Sequence, residues 1–354
     1  MTICEAQADV TQRKNQNDLA KALGVSVSTI SRALADAPGI SEDLRERVRR
    51  LARDMGYEAR AGKGGISRHV HAYVTLDRTT DGLTGFYDGI VKWMIAEARA
   101  SSMTIEVRLA ADRTEDIKRI IDDVTTQRAE ALFLVGIDPP VELAQLLLER
   151  RIPTVLVNGA DPEMRFDCVT PANFYGAQMA AQMLIQQGHR SLLYVSGHLR
   201  WTTLQRLRGF KAAVADVPEA KLSIVTLPAP TREHVERVVD AVGEGSSRPT
   251  AIFCINDLYA VSLMQALHAR GYDVPGDVSV LGFDDLPFAE HVTPRLSTLR
   301  VGLRDIGRQA VQLMARRCAD PEAIRLQIEV AVVPVKGQTV STVGKRPGKH
   351  VPDP

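Results

Sequence analysis

The chain has 354 residues, 45% apolar and 25% charged, with a formal net charge of +1. A single domain usually takes about 100–200 residues, so two or three folded units are expected, and this composition excludes a disordered chain. No apolar run approaches the roughly 18 residues that cross a bilayer, and residues 1–14 lack the apolar core of a secretory signal; a cytoplasmic protein without membrane contact is expected.

Three short helices are predicted in residues 1–57. The first runs from about Gln16 to Leu23, capped by Asn15, with Leu19, Ala20 and Leu23 on one face. Gly24 breaks it, because glycine tolerates the positive φ of a tight inter-helix turn. Ser26 is a good N-cap for a second helix reaching Leu34, with Ile30, Ala33 and Leu34 turned inward. Ser41 caps a third helix whose Leu44, Val48, Leu51 and Met55 recur at helical spacing, with Gly56 as its stop. Its other face carries Arg45, Arg49, Arg50 and Arg53.

Residues 58–69 read as a linker rich in glycine and base. From residue 70 to 343 the pattern changes. Apolar strands at 70–76, 105–109, 131–137, 153–157, 191–196, 222–227, 251–255 and 278–283 alternate with helical stretches. Runs such as Ala131–Val135 and Ala251–Ile255 are apolar on both faces, as strands of a covered parallel sheet must be. This predicts a doubly wound α/β body, long enough for two lobes. Residues 344–354 read as a frayed tail.

The head has the pattern of a helix-turn-helix. Ala20 supplies the small residue where two helices touch, and Gly24 follows four positions later as the turn. Such a unit presents the start of its second helix to the major groove. The outward residues are Val27, Ser28, Ser31 and Arg32. Arg32 can reach the O6 and N7 acceptors of guanine, Val27 suits a thymine methyl, and Ser28 can bond to several bases. Ser26 and Ser41, at helix starts, suit phosphate oxygens. A plain helical bundle with an exposed serine-rich helix would show the same helix–Gly–helix pattern. Charge agrees with a polyanionic partner: residues 1–68 hold 12 Lys and Arg against 9 Asp and Glu, the remainder 32 against 34.

The string Asp18-Leu-Ala-Lys-Ala-Leu-Gly-Val-Ser-Val-Ser-Thr-Ile-Ser-Arg-Ala-Leu34, followed by Gly39-Ile-Ser-Glu, Arg45-Glu-Arg-Val48 and Met55-Gly-Tyr57, closely resembles the head of the lactose-repressor (LacI/GalR) family of bacterial transcription regulators. The body resembles the same family's core through Gly188-His-Arg190, Arg206-Leu-Arg-Gly-Phe210, Pro249-Thr-Ala-Ile-Phe-Cys-Ile-Asn-Asp257, Asp277-Val-Ser-Val-Leu-Gly-Phe-Asp-Asp285 and Pro294-Arg-Leu-Ser-Thr-Leu299. The resemblance implies a small all-α helix-turn-helix head on a two-lobed, periplasmic-binding-protein-like (type I) α/β core. It further implies a repressor, working as a homodimer on a pseudo-palindromic double-stranded operator and controlled by a small-molecule effector, a sugar or sugar derivative.

One segment departs from the family. Glu58-Ala59-Arg60 replaces its usual Pro-Asn, and Gly62, Gly64 and Gly65 oppose a hinge helix at about 1 kcal/mol each relative to Ala. Ile66 falls where the family places a leucine wedge in the minor groove; a plain tether is the competing reading. The DNA-binding set is thus Asn15, Ser26, Val27, Ser28, Ser31, Arg32, Ser41 and Ile66.

In open α/β sheets ligands gather at the carboxyl ends of strands. Asn158, Asn256, Asp257, Asp284 and Asp285 stand at such ends, although Asn and Asp there also serve as helix caps. The resemblance points to Asn158, Thr202, Arg206, Asn256 and Asp284 as effector contacts. Phe86 or Trp201 could cover the apolar face of a sugar ring; Phe86 fits a core position equally well, and Arg206 could instead pair with Asp284.

Two other function classes share parts of this pattern. A free sugar-binding protein of a transport or sensing system would share the two lobes, but it would need an export signal and no DNA-reading head. An enzyme on a Rossmann-like sheet finds no G-x-G-x-x-G after the first strand, no P-loop, no G-x-S-x-G and no H-E-x-x-H, so no enzyme is expected. Cys4, Cys168, Cys254 and Cys318 lack ligand spacing, so neither metal nor cofactor is expected, and Cys168 and Cys254 read as small core residues.

Overall fold

The computed structural model describes residues 16–34, 39–54, 68–75, 85–110, 113–126, 129–197, 200–243 and 248–344. Contacts divide the chain into two units, Met1–Ile66 and Ser67–Pro354.

The first unit contains α1 (Gln16–Leu23), α2 (Val27–Leu34) and α3 (Glu42–Asp54). Leu19, Ile30, Ala33 and Val48 are fully buried where the three helices meet, with Ala20 and Ala52 beside them. Burying a side chain such as Ile30 contributes about 2 kcal/mol, so a few such residues suffice to hold a small head together. Gly24 has φ 66, the left-handed turn that its position between α1 and α2 demands. Asn15, Gly56 and the whole stretch from 55 to 67, with Gly62, Gly64, Gly65 and Ile66, lie outside the described residues.

The second unit runs β1 (Arg68–Thr75), α4 (Phe86–Ala100), β2 (Met103–Ala110), α5 (Arg113–Thr125), β3 (Leu132–Val135), α6 (Val141–Glu149), β4 (Thr154–Val157), β5 (Asp167–Pro171), α7 (Asn173–Gln186), β6 (Ser191–Ser196), α8 (Trp201–Ala215), β7 (Lys221–Thr226), α9 (Arg232–Gly243), β8 (Ala251–Cys254), α10 (Asp257–Ala269), β9 (Ser279–Leu281), β10 (Thr298–Val301), α11 (Leu303–Ala319), β11 (Gln327–Val330) and β12 (Val332–Val335). One lobe is a six-stranded sheet ordered β11-β5-β4-β3-β1-β2, and the other a four-stranded sheet ordered β7-β6-β8-β9. Every pairing in both is parallel. β10 and β12 form a separate antiparallel ribbon.

The doubly apolar strands fill the centres of both sheets. β3, β4 and β8 are buried along their whole length, as strands covered by helices on both faces must be. Cys168 and Cys254 are buried free thiols, and burial pushes Cys168 up to about 12. Gly188, with φ 87, ends α7. His189 after it is buried between Thr250 Oγ1 and the Ser341 carbonyl, each at 3.0 Å.

Three differences from the sequence reading have physical causes. The first core strand starts at Arg68, inside the stretch read as linker, because β1 pairs with β2 from its first residue. β9 stops at Leu281 rather than 283, since Asp284 (φ 113) and Asp285 (φ 56) turn the backbone out of extended conformation. The short strands β5, β10, β11 and β12 carry too much polar or proline content to stand out. β5 begins with the fully buried Asp167, tolerated because Arg317 Nε donates to its carboxylate at 2.8 Å and the Leu326 amide at 2.8 Å.

Candidate functional site

On the head, Ser26 Oγ accepts the Thr29 amide at 3.0 Å and Ser41 Oγ accepts the Leu44 amide at 3.4 Å. Both serines are therefore helix caps, each satisfying an amide that has no partner within the helix. The exposed face of α2 carries Val27, 40% accessible, with Ser28 and Arg32. A valine and a serine exposed at the start of a helix whose last turn exposes an arginine suit the edges of bases. Ser31 lies in α2, but its side chain is outside the description. On α3, Arg45 lies 3.4 Å from Glu42 and Arg47 3.8 Å from Asp43.

In the core, polar groups converge at the carboxyl ends of the strands of both lobes. The first cluster centres on Asn158, which follows β4 with a left-handed φ of 48. Asparagine tolerates that conformation. No helix starts there, so Asn158 is not a cap. Its Nδ2 donates to Tyr87 Oη at 3.1 Å, while its Oδ1 is buried without a hydrogen-bond partner. Arg200, the N-cap residue of α8, reaches across from the other lobe. Its Nη1 donates to Tyr87 Oη at 3.0 Å, and its Nη2 donates to Asp138 Oδ1 and to the Asn158 carbonyl, each at 3.0 Å. Asp138 Oδ1 also accepts the Ala160 amide at 2.9 Å. Thr203 holds Arg200 in place: its Oγ1 accepts the Arg200 amide at 2.8 Å.

The second cluster centres on Arg206, two turns further along α8. Its Nε donates to Asn173 Oδ1 at 2.7 Å, Nη1 to the Ile255 carbonyl at 2.6 Å and Nη2 to Asp284 Oδ1 at 3.3 Å. The guanidinium lies 3.8 Å from the centroid of the Phe283 ring, a contact strengthened by desolvation. Burial pushes the Asp284 carboxyl up to about 6, against the pull of Arg206. Asp257, fully buried, is pushed up to about 8, first by burial and then by the charge of Asp284. Its carboxylate accepts the Leu286 amide at 2.8 Å and the Thr298 hydroxyl at 2.5 Å.

Arg206 and Asp284 do pair, at 3.3 Å, and both are buried. Thr202 is buried in the first turn of α8 between the two clusters in sequence. Asn256 caps α10, accepting the Tyr259 amide at 3.1 Å. Phe86 is 6% exposed and belongs to the main core, its ring edge-on to Tyr87. Trp201 is 40% exposed, with Arg208 over its ring at 5.4 Å. Sequence reasoning missed Tyr87, Asp138, Asn173 and Arg200. Asp138 follows an apolar strand in the same way as Asn158, a signal that was available; Arg200 lies across the cleft from its partners, and no spacing announces that. Among the described residues no group of acids, histidines or cysteines could hold a metal ion, and no helix is long and apolar enough to cross a membrane.

Residues 17–59 match the bacterial regulatory proteins of the lacI family, and residues 181–340 match the periplasmic binding protein-like domain. The transcriptional regulator GalR of Salmonella typhimurium strain SL1344 is 31% identical over 315 residues, covering 86% of this chain and 90% of that protein. Two solved structures share the fold. The transcriptional regulator CelR–cellobiose complex has a TM-score of 0.68 at 22% identity, covering 93% of this chain and all of that one. The lac repressor dimer bound to operator and an anti-inducer has a TM-score of 0.65 at 19% identity, with the same coverages. With a helix-turn-helix head, two α/β lobes and a GalR relative matched along nearly its whole length, the chain belongs to the LacI family of bacterial transcriptional regulators.

Proposed function

We propose that this chain is a cytoplasmic repressor whose homodimer sets two copies of α2 in successive major grooves of a pseudo-palindromic operator. A sugar or sugar derivative bound between the lobes controls its operator affinity. One observation carries the reading: a packed head exposes Val27, Ser28 and Arg32 on the helix after its turn, in a chain whose core joins its two lobes through the Arg200–Asp138 pair and buries a second polar pair, Arg206–Asp284, beside the strand ends. A single head buries too little surface for selective binding, so two are needed. Val27, Ser28, Ser31 and Arg32 read bases, whereas the helix starts at Ser26 and Ser41 meet phosphates. Asn15 and Ile66 complete the DNA-facing set by resemblance to the family.

Between the lobes, Asn158, Thr202, Arg206, Asn256 and Asp284 contact the effector, with the exposed Trp201, rather than the core residue Phe86, beside the apolar face of the ring. Hydroxyls both donate and accept, and bonds to charged groups are worth about 1.5–3 kcal/mol each. A coupling of about 1–3 kcal/mol between the sites changes operator affinity about 5–150-fold. The relatives agree in kind: one structural neighbour holds cellobiose, and another is a dimer on its operator. The test is an electrophoretic shift with the promoter DNA of the chain's own gene against random competitor, repeated with a panel of sugars. A sequence-selective shift that a sugar releases or tightens supports the reading. Equal binding to every duplex would sink it.

A further inference from the structure

The two arginines of the cleft each have a carboxylate of their own. Arg206 is paired with Asp284 at 3.3 Å and gives further bonds to Asn173 and the Ile255 carbonyl. Arg200 is paired with Asp138 at 3.0 Å, from the opposite lobe, and also gives bonds to Tyr87 and the Asn158 carbonyl. The charges of both guanidiniums are thus neutralised before any ligand arrives. An incoming phosphate or carboxylate would have to break one of these pairs and leave an aspartate behind without its cation, which is costly in a partly desolvated site.

Beside Arg200, two polar atoms still lack what they need. Asn158 Oδ1 is buried and accepts nothing. Tyr87 Oη already accepts from Asn158 Nδ2 at 3.1 Å and from Arg200 Nη1 at 3.0 Å. Two incoming N–H bonds occupy its lone pairs and leave its own proton to be donated. One free acceptor and one free donor, on two side chains joined by the 3.1 Å bond from Asn158 Nδ2 to Tyr87 Oη, match a group that gives and takes a hydrogen bond at once. A hydroxyl does both. A phosphate dianion or carboxylate only accepts, so against Asn158 Oδ1 it would set oxygen lone pairs against oxygen lone pairs.

We propose that Asp138, by clasping Arg200 across the lobes, determines effector specificity: the cleft takes an uncharged polyhydroxyl ligand, one hydroxyl of which sits between Asn158 Oδ1 and Tyr87 Oη, and refuses the phosphorylated or acidic form of the same ligand. This rests on the effector reading above and narrows it. Asp138 is the specificity switch because removing its charge frees Arg200 to receive an anion. In Asp138→Asn the amide oxygen can still accept the Ala160 amide, so the loop keeps its local anchor while the clasp loses its charge.

The experiment measures binding to the full chain by calorimetry and thermal shift. The probes are free aldoses, ketoses and disaccharides, the phosphate ester of each monosaccharide, and inorganic phosphate. Circular dichroism checks the fold of each variant. The expected result is a wild type that binds a neutral sugar about tenfold or more tighter than its phosphate and ignores inorganic phosphate. Asp138→Asn should gain about tenfold or more for the phosphate ester and for inorganic phosphate, and the double variant Asp138→Asn, Arg200→Gln should lose that gain. A wild type that prefers the phosphate ester overturns the proposal while leaving the effector reading intact, and so does an Asp138→Asn chain with no new anion affinity. If no probe binds wild type or Asp138→Asn, the effector reading falls and the proposal falls with it.

Discussion

Arg206 satisfies four neighbours with one guanidinium: an amide oxygen, a backbone carbonyl, a carboxylate and an aromatic face. Removing it leaves the buried Asp284 without a cation and two acceptors without donors. Arg206→Ala is therefore expected to lower the stability of the core by about 3–5 kcal/mol, read from the urea midpoint. Arg206→Lys should recover part of this, since it keeps the charge but not the planar fork. A midpoint unchanged in Arg206→Ala would show the pair to be dispensable for folding. Asp257 makes a separate prediction through pH. Its carboxyl rises from an ordinary 3.8 to about 8 in the folded chain, so the folded state holds this proton more tightly than the unfolded state. The stability gained is complete below about pH 4 and drains away as the pH climbs towards about 8. Asp284, raised to about 6, adds to the same trend over the lower part of that range. Asp257→Asn cannot titrate, so its urea midpoint should fall less than that of the wild type between about pH 5 and about pH 8. Parallel profiles would remove Asp257 from the account.

Helix contacts in the core depend on how closely backbones approach. Gly209 on α8 faces α7 so tightly that a Cβ would overlap the Phe174 carbonyl oxygen. Backbone cannot swing aside as a flexible side chain can, so Gly209→Ala must push the two helices apart. A loss of about 1–3 kcal/mol is expected, visible as a melting point lowered by roughly 2–4 °C per kcal/mol. Gly24→Ala is the contrast: open space surrounds that position, and only its φ of 66 opposes a side chain. Its cost, about 1–2 kcal/mol, should fall on the head and leave the core melting point unmoved. The same distinction marks what could be read from sequence. Apolar runs at period 3.6, or apolar on both faces, announced α1, α2 and the central strands β3, β4, β6 and β8, because their burial is written in consecutive residues. β5 and the ribbon of β10 and β12 were illegible, since Asp167 and Pro334 are tolerated only through partners far along the chain. In the cleft, Asn158, Asn256 and Asp284 were visible as polar residues after apolar strands. Arg200 was not: its role comes from Asp138, 62 residues away on the other lobe.

At the scale of the whole molecule the two activities should answer differently to ionic strength. An operator held by two heads in the proposed manner releases counterions from its phosphates, so affinity should fall steeply between about 50 and about 200 mM salt, by about a thousandfold where about six phosphates are contacted. Effector binding by a cleft whose charges are internally paired should change little over the same range. Parallel salt dependence of the two, measured by fluorescence anisotropy and calorimetry, would contradict the division of labour. The path of the chain through its lobes carries a consequence for biosynthesis. The six-stranded sheet takes its edge strand β11 from residues 327–330, and the buried Asp167 waits for Arg317 and the Leu326 amide. While the ribosome is still adding residues up to about 330, the head can already have folded, whereas β5 keeps a naked edge and a stranded carboxylate. A nonsense mutation or stalled message late in the reading frame therefore yields a polypeptide that carries a finished DNA reader on an unfinished sensor.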